Sequence, residues 1–342
     1  MEVLIVGPGS LGQVYAAAFA RAGVQVLLLS RPARLQRLYQ QGIRLQGALA
    51  GQWSVSSWPN ESAGPQPTIV ASDRLPGGFH PDLTLFTTKG HQLDDAASVL
   101  QGAPLQWIVG LQNGISKDER LAGFFGAQRV VGGATTIAAE RTAGGEVLVA
   151  VTGTTWLGPR SAQGAAGKEA APLLQKAVTM LQKGGLGAEY STAIERAEWS
   201  KAANAAAFFG VSTLTRTPWS DAWTDPPLLR AALSLVREVA AVAEAYGTPV
   251  DDFTGMPIGR YLRQSEEETI SNFAHMAQRR DPNLPPMRVS MLQDLLAGRP
   301  MEVEPVFGDL LAKAEAAQVE TPRLRFVYHV LSGLNQKLMA QV

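Results

Sequence analysis

EVLIVGPGSLGQVYAAAFARAGVQVLLLS, residues 2–30, decides the fold. A short β-branched run, EVLIV, stops abruptly at Gly7. GPGSLG follows, and then QVYAAAFARAG, whose small and apolar side chains suit a helix that ends at Gly23. VQVLLLS is a second apolar run. Strand, glycine loop, helix and strand within about 30 residues make one βαβ unit. Gly7, Gly9 and Gly12 have G-x-G-x-x-G spacing, after a strand and at the start of a helix, which is the context that gives the pattern meaning. Gly7 allows the tight turn, Gly9 lets the backbone approach a pyrophosphate, and Gly12 lets helix and strand pack closely. The phosphates would face the helix N-terminus. Gly7, Pro8, Gly9, Ser10, Leu11 and Gly12 are therefore candidate dinucleotide contacts, against the competing reading of a ligand-free glycine turn. The loop is no hydrolase elbow, since Ser10 would need glycine two positions earlier and position 8 is proline.

The type of dinucleotide is readable at the end of the second strand. A site for the unphosphorylated ribose wants an acid about 20 residues beyond the loop. Ser30-Arg31 stands there, and no Asp or Glu occurs from Val3 to Asn60. Arg31, Arg34 and Arg37 cluster in its place. A planar guanidinium suits a ribose 2′-phosphate, which a carboxylate would repel. Arg31 is the candidate phosphate contact; Arg34 and Arg37 are either further contacts or a solvated helix face. The cofactor indicated is NADPH, and the chemistry hydride transfer.

Further strand candidates are PDLTLFTTK (81–89), LQWIVGLQN (105–113), RVVGGATT (129–136) and EVLVAVTG (146–153). The first half thus reads as a mostly parallel α/β sheet. SAQGAAGKEAA (161–171) reads as a connection or a frayed helix start. Helical patterns dominate after about residue 190. PPLLRAALSLVREVAAVAEAYG carries a stripe at Leu229, Leu233, Val236 and Ala240, opens on two prolines and stops at Gly247. Residues 306–318 and 323–340 look similar. Two domains are expected, a dinucleotide-binding one over residues 1–190 and a helical one over residues 191–342.

Composition narrows the function. The chain has 342 residues, 46% apolar and 18% charged, enough for a large core. Lys plus Arg and Asp plus Glu number 30 each, and no basic stripe with aromatics appears, so no nucleic-acid partner is expected. No cysteine is present, which removes thiolate metal sites and cysteine nucleophiles and fits the cytoplasm. The four histidines are too scattered for a metal pattern, and no metal is expected. His91, a lone loop histidine, reads as solvated. Met1-Glu2 lacks the basic start of an export signal, and no stretch is long enough to span a bilayer. Apolar helices in the second half could bury a homodimer interface, though a core would look the same.

EWSKAANAAAFFGVSTL (198–214) reads as an apolar helix led by one cation, Lys201. A lysine can simply lay its stem on apolar surface with its ammonium in water. With this stretch in view, the chain resembles the ketopantoate reductase (2-dehydropantoate 2-reductase) family over nearly all its length. The matched pieces are GPGSLG with Arg31, TTKGHQ at 87–92, LQNGI at 111–115, ATTIAAER at 134–141, EWSK at 198–201 and SMLQDLLAGRPMEVE at 290–304. The resemblance implies a Rossmann-type domain followed by a mostly helical one, with the active site in the cleft between them. It implies NADPH-dependent reduction of a 2-oxo acid, ketopantoate to pantoate, on the route to pantothenate. Lys201 would be the general acid, because hydride arriving at the 2-oxo carbon leaves an alkoxide that needs a proton. A lysine withdrawn from water has a lowered pKa and donates more readily. Asn113, at the carboxyl end of a strand, would touch nicotinamide and substrate. Lys89 would stand at the cofactor or substrate mouth, Glu302 would reach ribose hydroxyls, Ser290 would meet the substrate, and Ala139 would offer the cofactor a backbone contact. Met291 and Leu292 read as core.

The resemblance breaks at the substrate. The family's helix carries asparagines four and eight positions after its lysine, and another in the following loop. Here Ala205, Phe209 and Trp219 stand at those places, and Asn204 is one residue early. A bulge in the helix would bring Asn204 back into phase. The altered face favours a bulkier, more apolar 2-oxo acid, since apolar pockets discriminate by size rather than by hydrogen bonds. Two rivals are a related reductase acting on an imine and a non-catalytic NADPH sensor. Keeping Lys201, Asn113, Ser290 and Glu302 together argues against the sensor.

Overall fold

The computed structural model describes residues 1–58, 69–142, 144–160 and 165–340, which fall into two compact units. The first comprises Met1–Gln112 and Lys117–Ile194. It opens with β1 (Glu2–Val6), α1 (Ser10–Arg21) and β2 (Gln25–Leu29), the two strands pairing in parallel. Next comes α2 (Pro32–Gln41), with proline in its first turn, where a missing N–H is harmless. Four short strands follow: β3 (Ile43–Gly47), β4 (Gly51–Trp53), β5 (Val55–Ser57) and β6 (Ile69–Ser72). The chain continues through β7 (Leu83–Phe86), α3 (Leu93–Ser98), β8 (Trp107–Gly110), α4 (Lys117–Phe125) and β9 (Val130–Thr135). Then come β10 (Ala138–Arg141), β11 (Val147–Val151), β12 (Thr154–Gly158), α5 (Ala165–Lys183) and β13 (Gly187–Tyr190).

The main sheet has nine strands in the order β13-β12-β9-β8-β7-β1-β2-β6-β5, parallel except where β12 meets β9. Val3 and Ile5 point into one apolar cluster with α1, while Leu4 and Val6 point into a second with Phe86 and Leu93. A strand buried on both faces has no polar alternation, which is why EVLIV is apolar throughout. β1 is flanked by β2 on one side and β7 on the other, so the strand order reverses there. Ligands of open α/β sheets bind beyond the carboxyl ends at such a switch point, and the glycine loop leaves β1 at that place.

Two expectations are corrected. The strands are shorter than their apolar runs, because residues 87–89 and 111–113 leave the sheet and form loops at its carboxyl edge. EVLVAVTG does not join the main sheet. Its core, β11, sits in a second, four-stranded sheet ordered β10-β11-β3-β4. Of the stretch 161–171, residues 161–164 lie outside the described residues, and the remainder is already helical in α5.

The second unit comprises Asn113–Ser116 and Glu195–Val342. Its helices are α6 (Ile194–Thr215), α7 (Trp219–Ala222) and α8 (Pro226–Ala245), then, after a two-stranded hairpin, α9 (Ile258–Arg263) and α10 (Glu266–Arg279). The last are α11 (Ser290–Leu296), α12 (Asp309–Ala316) and α13 (Pro322–Met339). Asp225 caps α8 by accepting a 3.1 Å hydrogen bond from the Leu228 N–H, just ahead of the two prolines. Leu229, Leu233 and Val236 are buried as their spacing requires, whereas Ala240 is half-buried and Val239 lies in the core instead. Met291 and Leu292 are core residues. No helix among the described residues is long and apolar enough to cross a membrane.

Candidate active site

The glycine loop is built as a cradle in the first unit. Gly7 has φ +97°, and an added methyl there would stand 2.6 Å from Thr88 Cγ2. Gly12 has no room either: a methyl would overlap the Gly7 carbonyl oxygen and come within 2.7 Å of Thr87 Oγ1. Gly9 is different, for a methyl there would meet no protein atom within 4 Å. Glycine at an open position leaves space for something other than protein. α1 starts after Gly9 with no side-chain cap and no acid in its first turn, so its first N–H groups and the positive end of its dipole are open. These features fit the pyrophosphate of a dinucleotide.

Two side chains outside the glycine pattern hold this cradle. Thr87 Oγ1 donates to the Gly7 carbonyl at 2.7 Å, and Gln13 Nε2 donates to the Pro8 carbonyl at 3.1 Å. Sequence reasoning missed both. Thr87 had a signal, since it directly follows a strand whose end lies beside the loop; Gln13 had none. Lys89 comes two residues after Thr87 and precedes a 3₁₀ turn. His91, in that turn, is exposed.

Arg31 occupies the N-cap position of α2, directly beyond β2. Arg34 and Arg37 follow at helical spacing and share one face with Gln41. Arg141, at the end of β10, joins them, another residue missed because nothing local links it to the loop. Burial first, and then the charges of Arg31 and Arg37, lower the pKa of Arg34. Arg141 is lowered in the same way by burial, Arg34 and Arg37. Ala139 lies on β10, which among the described residues is an edge strand of the second sheet.

In the second unit Lys201 lies about two turns inside α6, not at its start, because the helix begins at Ile194. The helix is α-helical throughout, so no bulge shifts Asn204 into phase. Lys201 is half-buried, while Ala202, Ala203, Ala205 and Phe209 around it are buried. Its Nζ stands over the Phe209 ring, 5.5 Å from the centroid. Burial pulls its pKa from 10.5 down to about 8, and the Glu302 charge pulls back upward. Glu302 is 4% exposed and lies two residues ahead of a turn of π-helix, Glu304–Gly308, a feature common at functional sites.

Asn113 is not at a strand end: β8 stops at Gly110, and Asn113 sits in the loop beyond. Asn113–Ser116 belong to the second unit. Gly114, at φ +108°, lies so close to the Pro305 carbonyl oxygen that a methyl would overlap it. Asn113 and the Glu302 segment are thereby brought near one another. Ser290 is the first residue of α11 and is half-buried. Trp219 does not line the Lys201 face. Its ring stacks on Phe208 at 3.9 Å and meets Phe273 edge-on at 5.6 Å. Among the described residues no group of His, Asp and Glu is gathered to hold a metal ion.

Comparison with known proteins gives a consistent set of likenesses. Residues 3–162 match the family model described as ketopantoate reductase PanE/ApbA, and residues 193–335 match that of its C-terminal domain. The 2-dehydropantoate 2-reductase of Pyrococcus abyssi is 25% identical over 339 residues, covering 97% of each chain. The crystal structure of 2-dehydropantoate 2-reductase from Methylococcus capsulatus is 24% identical, covers 99% of this chain and 98% of that one, and has a TM-score of 0.75. D-mandelate dehydrogenase, solved with NADH and anilino(oxo)acetate, covers 99% of both chains at 20% identity with a TM-score of 0.78. At these identities the solved structures speak for a shared fold.

Proposed function

Since the chain belongs to the ketopantoate reductase family, whose members are dinucleotide-dependent oxidoreductases, we propose that it reduces ketopantoate to pantoate with NADPH. The observation that carries the reading is Lys201: an ammonium set among buried apolar side chains, with a pKa of about 8 and a buried carboxylate, Glu302, acting on it. A general acid works best when its pKa lies near the operating pH. When bound, the reduced nicotinamide supplies hydride.

Everything else falls to the chain's own residues. Lys201 holds a proton and delivers it to the carbonyl oxygen as negative charge grows there. Glu302 keeps the ammonium mostly protonated at neutral pH by opposing the effect of burial. Ser290 offers a hydroxyl to the substrate, and Asn113 and Lys89 offer polar groups at the reacting end. Gly7, Pro8, Gly9, Ser10, Leu11 and Gly12 hold the pyrophosphate, Ala139 adds a backbone contact, and Arg31 favours the phosphorylated cofactor. In this reading residues 1–190 form the NADP-binding domain and residues 191–342 the catalytic one. A cytoplasmic location and a homodimer complete it.

A second reading concerns the substrate. At four-residue spacing from Lys201, α6 presents Ala205 and Phe209, neither of which carries a hydrogen-bonding side chain. That face suits a 2-oxo acid with a larger apolar group. The test follows NADPH consumption against ketopantoate and larger 2-oxo acids, with Lys201→Ala in parallel. Lysine-dependent turnover of ketopantoate supports the family activity. Turnover of larger substrates alone supports the second reading, and lysine-independent turnover defeats both.

A further inference from the structure

Lys201, Ala205 and Phe209 follow one another at four-residue spacing, along one ridge of α6. The eight residues from Lys201 to Phe209 rise about 12 Å. Yet the Lys201 Nζ stands only 5.5 Å from the centroid of the Phe209 ring. Helical side chains ordinarily lean toward the N-terminus, which brings the ring back toward the lysine. The ring alone does not close the gap. The lysine stem therefore runs forward along the helix, against the usual lean, past Ala205. Ala205 is buried and carries only a methyl, which leaves that path open.

The ring is the close partner of this ammonium. Among the described residues the Lys201 Nζ makes no hydrogen bond and no ion pair. Lys117 differs, since its Nζ meets the Asp118 carboxylate at 3.0 Å. The charge that acts on Lys201 is that of Glu302, from the segment ahead of the π-helical turn. Phe209 is itself buried, and a cation over a ring face is held more strongly where water is excluded. The ring also differs in kind from a carboxylate or an amide. Its face attracts positive charge but has no lone pair to take the proton.

We propose that Phe209 is a positioning residue for Lys201, its ring drawing the ammonium forward along α6 and holding it charged, with the proton kept for the substrate. The inference rests on the reading of Lys201 as proton donor for its part in turnover, while the contact itself is testable without turnover. Ala205 belongs to the same device, because a larger side chain would lie across the path of the lysine stem.

The test is an NMR titration of the full chain carrying isotope-labelled lysine, with the Lys201 Cε signal assigned by its loss in Lys201→Met. Wild type is compared with Phe209→Leu, which keeps apolar bulk and removes the ring face, and with Phe209→Tyr, which keeps the ring. Phe209→Met replaces Phe209→Leu if the latter does not melt cooperatively. Phe209→Leu is expected to lower the Lys201 midpoint by about 0.5 to 1 pH unit, because the charged form loses its partner. Phe209→Tyr is expected to leave it within about 0.3 unit. An unmoved or raised midpoint in Phe209→Leu would overturn the proposal, because the ring would then act only as bulk that excludes water. An equal fall in Phe209→Tyr would overturn it too, by assigning the effect to repacking. In assays with NADPH and 2-oxo acids, the alkaline limb of kcat/KM is expected to move with the NMR midpoint. A limb that stays fixed while the midpoint moves would defeat the positioning role. A shifted midpoint in a protein whose wild type turns over no 2-oxo acid would defeat the reductase reading and support the contact.

Discussion

In the proposed reduction, Lys201 is where the chemistry would concentrate at the scale of a single residue. Its protonated form is the one that would donate, and burial brings its pKa to about 8. For the reduction, kcat/KM is therefore expected to fall about tenfold per pH unit above that value. Lys201→Ala is expected to lose about 10²- to 10⁴-fold in kcat and that limb of the profile with it. A wild-type pH–rate profile flat from 7 to 10 would rule Lys201 out as the acid. The same shift has a consequence for stability. The folded pKa lies below the unfolded 10.5, so between about 8 and 10.5 the unfolded chain binds more protons and stability rises with pH. The cost of burying the ammonium is thus fully present at neutral pH and vanishes in alkali. Urea melts of Lys201→Met and wild type are expected to differ most at pH 7 and to converge by pH 10.5; a pH-independent gap would contradict this.

Among the elements, the strand–loop–helix start separates two kinds of glycine. Gly12→Ala forces a methyl against the Gly7 carbonyl and Thr87, so α1 must move away from β1. Overpacking of this kind typically costs about 1–3 kcal/mol, and the melting temperature of Gly12→Ala should drop accordingly. Gly9→Ala meets open space in the protein, at a negative φ that alanine tolerates. It is expected to fold as wild type does and yet to bind NADPH at least about tenfold more weakly, as read by titration. Full NADPH affinity in Gly9→Ala would mean that no pyrophosphate lies over that position.

Across the whole chain, distant segments are joined by a buried ion network in the first unit. Asp118, 1% exposed, receives Lys117 Nζ at 3.0 Å and Arg160 Nη1 at 2.6 Å. Asp118→Ala removes a buried carboxylate that holds both Lys117 and Arg160, a loss of about 3–5 kcal/mol. Chemical denaturation should show it, and a change below about 1 kcal/mol would mean that the network is adventitious. The second sheet works at the same scale, pairing Val147 with Leu45 and Val149 with Gly47. Such pairing between remote strands leaves no local trace, which is why EVLVAVTG was readable as a strand but not as a member of a separate sheet.

The sequence by itself determined the βαβ start, the glycine loop, the arginine in place of an acid beyond β2, and the helical second half. Each rests on short-range physics: apolar period, turn chemistry, and the conformational freedom of glycine at Gly7. It also marked Lys201 as a cation among apolar neighbours, because those neighbours are adjacent in the helix. The tertiary structure decided what those residues meet. It brought Glu302 to act on Lys201, laid the Asn113-Gly114 turn against Pro305, turned Trp219 onto Phe208, and carried Arg141 to Arg34 and Arg37. A residue's type fixes the chemistry it can offer, whereas its pKa and its partners depend on burial and on charges that folding brings from far along the chain.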